Sequence, residues 1–475
     1  MTATSPNSPS QIDASCRLPL FALFGGAALW LALGSAFGLI ASLTFHKPSM
    51  FATSAMLSYG RAFPVSQHLL MYGFCIPAAL GVGIWLLARL GRVEVAQPWL
   101  IAVGAKLWHT GVLVGAVAVL AGQNTGYEWL EMPRYAAVLL FLGFVLMAIW
   151  TFVTWTRRTE PGLYPSQWFV LAAFFWFPWI FSTAVMLHHF FPVRGLVQAA
   201  VAWWYAGNLL NVWLTLTGLA SAFYLLPKLT GRPLQSHYLA LFIFWTLILF
   251  GTWTGIPAHA ALPSWMPALS GAASLMLLVP ILAVVTSVVL TCRGAKTPCG
   301  GGPLCFTKFG VASLALATVL SAIAACPQIS RVTDYTWFGQ GVTMLRLYGF
   351  FVMTMLGAIY YILPHLVGAN RVCPRWMRVS FWLIMPGTLI FSLPLVFGGI
   401  RQGLKLLDPN IAFLDAAKAA MMTFRISTLG ETMIVLGSLI FMFNVLAAIV
   451  SYYRVICQTV YADATARLEP AGGKP

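Results

Sequence analysis

Eight histidines hold most of the metal-binding capacity of this chain: His46, His68, His109, His188, His189, His237, His259 and His365. Neutral imidazole suits iron and copper, so the placement of these residues bounds the redox chemistry available. His188 and His189 are adjacent, about 100° apart on a helix, and make poor joint ligands. His46, His237 and His365 fall at the ends of apolar stretches, where a solvated interfacial role is expected. His68, His109 and His259 lie deeper and are the candidates for holding a cofactor. Three charged residues also sit inside apolar runs: Lys106, Arg346 and Glu431. A charge at the bilayer centre costs roughly 2.5–3.5 kcal/mol on insertion scales, so each needs compensation. Lys106 and His109 share a helix face at i, i+3 spacing. Glu431 is a candidate partner for Arg346 or Lys106. Met344 has a thioether of the kind that ligates heme iron, but a lone methionine in an apolar helix reads as core packing.

The elements that must position these residues are apolar stretches near 19–44, 64–90, 97–122, 133–156, 166–191, 197–227, 237–259, 265–291, 306–326, 339–368, 378–400 and 422–453. Each is near or above the roughly 20 residues that cross a bilayer as a helix. Strands of a membrane barrel would read as alternating segments of about 10 residues, which these are not. With 60% hydrophobic and 8% charged residues, the chain would expose too much apolar surface in water. It therefore reads as an all-α integral membrane protein of about twelve helices. Its expected organisation is an N-terminal tail over 1–18, one membrane domain over 19–455 and a C-terminal tail over 456–475. No removable signal peptide is read at the start.

The net charge of +16 does not point to nucleic acid, because the basic residues are segregated by loop. Arg89, Arg92, Arg157, Arg158, Lys228, Arg232, Arg371, Arg375 and Arg378 fall in every second connection. Arg134, Arg194, Arg331, Arg401 and Lys405 are among the fewer in the alternate ones. The positive-inside rule then places both termini in the cytoplasm. Cys292, Cys299 and Cys305 fall on that side, where free thiols are the default.

Eight motifs in order give the chain a relative. Tyr59-Gly60-Arg61 with Pro64, the segment Gly126 to Pro133, and Trp203-Trp204-Tyr205-Ala206-Gly207-Asn208 come first. Phe223 to Lys228, Ala261-Leu262-Pro263-Ser264-Trp265, Thr333 to Thr336, Tyr361 to Pro364, and Gly399 to Gly403 follow. Together they resemble subunit I of the heme–copper oxidases, closest to the C family of cbb-type cytochrome c oxidases, from about residue 50 to 455. The resemblance implies a subunit I-like bundle with a cavity bounded by helices 2, 6, 7 and 10. It also implies six histidine ligands for two hemes and a copper. Those positions fall here on Ser66, Gly207, Pro257, Ala258, Val342 and Met344. His68 follows Ser66 by two residues, a rotation of about 200° onto another face.

The sequence therefore leads to an expectation of a degenerate subunit I: no catalytic residue, no metal ligand and no cofactor, with heme b and copper as the alternative. Its partners would be the lipid bilayer and other respiratory-complex subunits, such as a membrane-anchored cytochrome c. Two other readings stay open. One is a working oxidase or nitric oxide reductase with ligands relocated to His68, His109 and His259. The other is a transporter using Lys106, His109 and Arg346 in an emptied cavity.

Overall fold

A computed structural model describes residues 8–51, 53–295 and 300–468, the side chains of 465–468 excepted. Among the described residues twelve longer helices follow in order, besides short ones such as Pro327–Thr333 and Phe413–Lys418: α1 (Pro9–His46), α2 (Tyr59–Gly91), α3 (Pro98–Leu120), α4 (Arg134–Thr156), α5 (Pro165–Phe190), α6 (Leu196–Thr230) and α7 (His237–Gly251). The remainder are α8 (Trp265–Cys292), α9 (Pro303–Ala324), α10 (Trp337–Val367), α11 (Pro374–Leu406) and α12 (Met421–Leu468). Eleven of the membrane-spanning candidates are long and apolar enough to cross a bilayer; α7 is the shorter apolar one. Among the described residues no strand forms.

Helix ends follow local chemistry. Ser8 caps α1 in a reciprocal box with Gln11, and Pro9 takes the first helical position, where its missing N–H costs nothing. The first helix thus starts well ahead of the apolar stretch at 19. The seventh stretch was expected to run to 259, but the helix stops at Gly251. Gly255 has φ +115°, open to glycine at low cost, and Pro257 follows. Residues 252–264 instead form an irregular connection.

Burial ranks the helices. The apolar windows of α2, α6 and α10 are 100%, 89% and 83% buried, so these three form the centre. Helix α7 lies outside it, with Tyr238 and Trp245 exposed, and reaches inward at its end, where Gly251 meets Val212 of α6 and the connection follows. Each central helix contains a π-helical turn: Leu69–Cys75 in α2, Asn208–Trp213 in α6 and Leu345–Val352 in α10. Such turns widen the backbone by one residue and often mark functional regions.

Rings pack α5 against the central helices α2 and α6. Phe177 stacks on Phe181 at 5.2 Å and tilts against Trp213 at 5.5 Å, and Tyr72 meets Phe181 at 5.9 Å. Phe350 presses its ring toward Gly218, where a Cβ would come within 2.4 Å of it. At the end carrying the termini, Cys305 is disulfide-bonded, which corrects the expectation of a free thiol at that position, while Cys292 is free as expected. Cys299 lies outside the described residues.

Candidate functional site

The six positions singled out by the resemblance occupy the central helices and the connection after α7. Ser66 on α2 turns toward α1 and α12. A Cβ at Gly38 of α1 would come within 3.0 Å of its Oγ and 2.7 Å of Glu431 Oε1, so hydroxyl and carboxylate converge there. His68 turns instead to α3, its Nε2 3.0 Å from the Val112 carbonyl oxygen and its Nδ1 buried without a partner. The two side chains thus face different helices, as a 200° rotation requires.

At Gly207 of α6 the backbones touch. A Cβ there would lie 2.1 Å from the Thr254 carbonyl oxygen, and one at Gly255 would lie 2.6 Å from the Trp203 carbonyl oxygen. Polar side chains lock this contact. Asn208 donates to the Trp204 and Thr252 carbonyls at 3.0 and 3.3 Å and accepts from Trp176 Nε1 at 3.2 Å. Asn211 donates to Thr254 Oγ1 at 2.7 Å, which in turn donates to the Gly251 carbonyl at 2.7 Å. Val342 and Met344 on α10 are buried among apolar neighbours.

Arg346 follows on α10 and points inward. Nη1 donates to Asn211 Oδ1 and Nη2 to Ser321 Oγ on α9 at 3.3 Å, while Nε is buried without a partner. It lines a cavity of about 430 Å³ with Gly207, Asn211, Ser321, the Gly255–Ala258 segment and the 333–336 turn.

The other candidates are scattered. Lys106 is exposed on α3. His109 turns toward α1, where its Nδ1 accepts from Trp30 Nε1 at 3.0 Å and its Nε2 lies 3.1 Å from the Ala22 carbonyl oxygen. His259 pairs with Asp334 at 3.0 Å in the connections at the end opposite the termini. Glu431 stays with α1 and α2, its Oε2 unpartnered. Among the described residues no ion pair joins Lys106, Arg346 and Glu431.

A second cavity, of about 580 Å³, opens between α2, the 121–133 connection and the start of α10, lined by Gln67, Glu128, Glu131, Gln340 and Gln402. Burial pushes the Glu131 carboxyl up to about 8. Hydrogen bonds from its own and the Trp129 backbone N–H oppose the shift, and Glu128 adds to it. Behind it, Tyr72 donates to the Trp129 carbonyl at 2.5 Å and shares a 2.7 Å bond with Tyr205. Sequence reasoning had not singled out Glu131, Asn211 or Thr254. Two signals were available: Glu131 lies within the Gly126 to Pro133 motif, and Asn211 is a second asparagine three residues past Asn208 in an apolar run.

A multi-pass helical bundle with three π-turned central helices around a polar cavity defines a class of membrane protein, and the comparisons specify it. Residues 19–440 match the family described as cytochrome c and quinol oxidase polypeptide I, and the chain belongs to that family, within the heme–copper oxidase subunit I superfamily. A cytochrome c oxidase subunit 1 homolog of Azorhizobium caulinodans is 25% identical over 467 residues, covering 94% of this chain and 83% of its own. The cbb3-type cytochrome c oxidase subunit CcoN1 of Stutzerimonas stutzeri is 25% identical over 441 residues, covering 88% and 91%. A solved heme–copper terminal oxidase dimer shares the fold, with a TM-score of 0.73 at 13% identity over 91% of this chain and 84% of that one.

These matches overturn the expectation of a chain without a cofactor. The family is one whose members bind heme and copper, so membership points to cofactor binding. The residues at the six positions do not fit those groups. Ser66, Gly207, Pro257, Ala258, Val342 and Met344 offer no imidazole, and position 207 has no room for a side chain. Among the described residues no three His, Cys, Asp or Glu side chains cluster as a metal site. No chemical step is therefore derived through heme or copper at these positions.

Proposed function

We propose that this chain serves as a subunit I-type scaffold or partner subunit in a respiratory membrane complex related to the cbb-type cytochrome c oxidases. One observation carries the reading: the helix-6 ligand position is closed backbone to backbone, Gly207 against Thr254 and Gly255, while the framework motifs around it persist. A fold kept that closely, with the position sealed, is suited to presenting helix surfaces to neighbouring subunits. The role does not depend on which cofactor the chain holds. A membrane-anchored cytochrome c is the natural neighbour, and the complex sits in a bacterial inner membrane. The proposed layout is a membrane domain over 19–455 between cytoplasmic tails, as the loop charges favour.

Mild-detergent purification of the tagged full chain from native membranes tests this. The expected result is stoichiometric co-purification of a c-type cytochrome subunit, whose steady-state level falls when the chain is deleted. A chain that purifies alone, with partner levels unchanged by its deletion, overturns the reading. A fluorescent protein that folds only in the cytoplasm, fused to the C-terminus, tests the orientation; a dark fusion in the membrane reverses it.

A further inference from the structure

Among the described residues, no carboxylate pairs with the guanidinium of Arg346, which lines the cavity of about 430 Å³. Arg346 is 7% exposed, within a membrane-spanning helix. Guanidinium carries five N–H donors and stays charged in proteins. Here its hydrogen bonds go to two neutral oxygens, Asn211 Oδ1 and Ser321 Oγ, and Nε has none. Among the described residues no carboxylate comes within 4.0 Å of it. Two acids line the same cavity, but each is engaged elsewhere. Asp334 bonds His259 at 3.0 Å. Glu128 is exposed at the mouth, interacts with Trp129, and makes no ion pair with Arg346 within 4.0 Å.

A buried cation without a counter-charge is costly, and removal of a partner from a buried pair is strongly destabilising for that reason. The missing charge has a place to sit. The cavity measures about 430 Å³, and its base holds Arg346 and Gly207, both buried, while Tyr335 and Gly339 at its rim are exposed. Thr343 and Gln340 add a hydroxyl and an amide to the wall. The volume exceeds that of several waters at about 30 Å³ each, so a small solute and its remaining hydration fit.

The geometry points to an anion-binding site at Arg346 that takes a small planar oxyanion of single negative charge, such as a short carboxylate or nitrate. The planar fork of guanidinium matches a planar oxyanion through two parallel N–H···O bonds, which a spherical ion cannot accept in the same way. The polar wall replaces the rest of the hydration shell, and the low dielectric strengthens the attraction. The site rests on Arg346 alone among the cations of the cavity, so one substitution removes its charge.

The test is thermal denaturation of the purified full chain in detergent, titrated with sodium formate and with sodium nitrate. Ionic strength is held constant with sodium methanesulfonate, whose sulfonate is tetrahedral. Ligands that bind only the folded state raise its melting temperature in a saturable way. The expected result is a saturable rise of a few degrees with formate or nitrate, and none from chloride substituted at equal concentration. Arg346→Gln should abolish the rise. Gly339→Leu keeps the charge but places a side chain at the rim, where a Cβ meets no atom within 4 Å. It should fold and melt as wild type without anion and lose the saturable rise. An unchanged rise in either variant, or an equal rise with chloride, overturns the assignment; so does no rise at all in the wild type. If Arg346→Gln fails to fold, Gly339→Leu decides.

Discussion

Replacing Gly207 by alanine should destabilise the protein far more than a methyl group ordinarily does. The added Cβ would stand 2.1 Å from the Thr254 carbonyl oxygen, 2.9 Å from its carbon and 3.0 Å from Gly255 Cα. Ordinary contact begins at 3.4 Å, so the connection must retreat by more than 1 Å. All three obstructing atoms are backbone, and no rotamer change relieves them. Retreat also pulls Thr254 from its 2.7 Å bonds with Asn211 and the Gly251 carbonyl. Overpacking of this kind costs about 1–3 kcal/mol, and each broken hydrogen bond adds about 0.5–1.5 kcal/mol. A total of about 2–6 kcal/mol follows, a drop in melting temperature on the order of several degrees. Circular dichroism melts of the purified chain in detergent measure it. Gly60→Ala is the control, because a Cβ there meets nothing within 4 Å. If Gly207→Ala melts with the control, the backbone contact is not as close as described, and the argument that no side chain fits at 207 fails with it. Histidine at 207 brings the same clash and a ring besides, so it should be worse than alanine.

Other outcomes follow from the surroundings of that contact. Glu131, held up at about 8 against an ordinary 4.5, binds its proton more tightly in the folded chain. The cost of ionising it is therefore absent below 4.5, grows as pH rises through the window and is complete above about 8. Glu131→Gln should remove this dependence, its melting advantage over wild type widening from pH 5 to pH 8 toward an upper bound of roughly 5 kcal/mol; a constant difference across that range refutes it. Tyr72→Phe should cost about 1–3 kcal/mol by leaving the buried Trp129 carbonyl and Tyr205 hydroxyl short of a partner, read by chemical denaturation. Phe350→Ala should cost about 3–5 kcal/mol, since the ring is fully buried against Gly218. Asp334→Asn should shift the melt by less than about 1 kcal/mol, because its pair with His259 is partly solvent-exposed.

Hydropathy made the helices legible because lipid imposes one demand, about 20 apolar residues, on every span. It overran at residue 259, where Gly255 and Pro257 act on the backbone without lowering apolarity. The rotation between Ser66 and His68 was legible because two residues on one helix fix an angle. The surroundings of Lys106 were not: a shared face with His109 says nothing of which neighbour covers it, and the lysine is exposed while His109 reaches α1. The inward direction of Arg346 suited a charge in an apolar run, but its partners lie 135 and 25 positions away, and neither is charged. Pairing with Glu431 was reasonable by charge alone and fails because that carboxylate turns toward Gly38 of α1 and Ser66 of α2. The sealing of position 207 depends on a connection 47 residues on, which no local pattern reports.

The π turns in α2, α6 and α10 also govern how the chain can change. A turn with one extra residue is a phase offset: side chains on its two sides are out of step by about 100° relative to an uninterrupted α-helix. Ser66 and His68, Gly207, and Val342 and Met344 all precede the turn in their own helix, while the long apolar segments that anchor each helix follow it. Deleting a single residue from 208–213 would let α6 run straight through as an α-helix, and everything before the deletion would swing to a new azimuth. Gly207 would leave Thr254, and a bulkier neighbour would arrive in its place. Single-residue deletions inside these three turns are thus discrete rotations of half a helix, a kind of variation that substitution cannot imitate. They open a route by which one bundle can exchange the side chains facing its centre without altering its lipid-facing sequence.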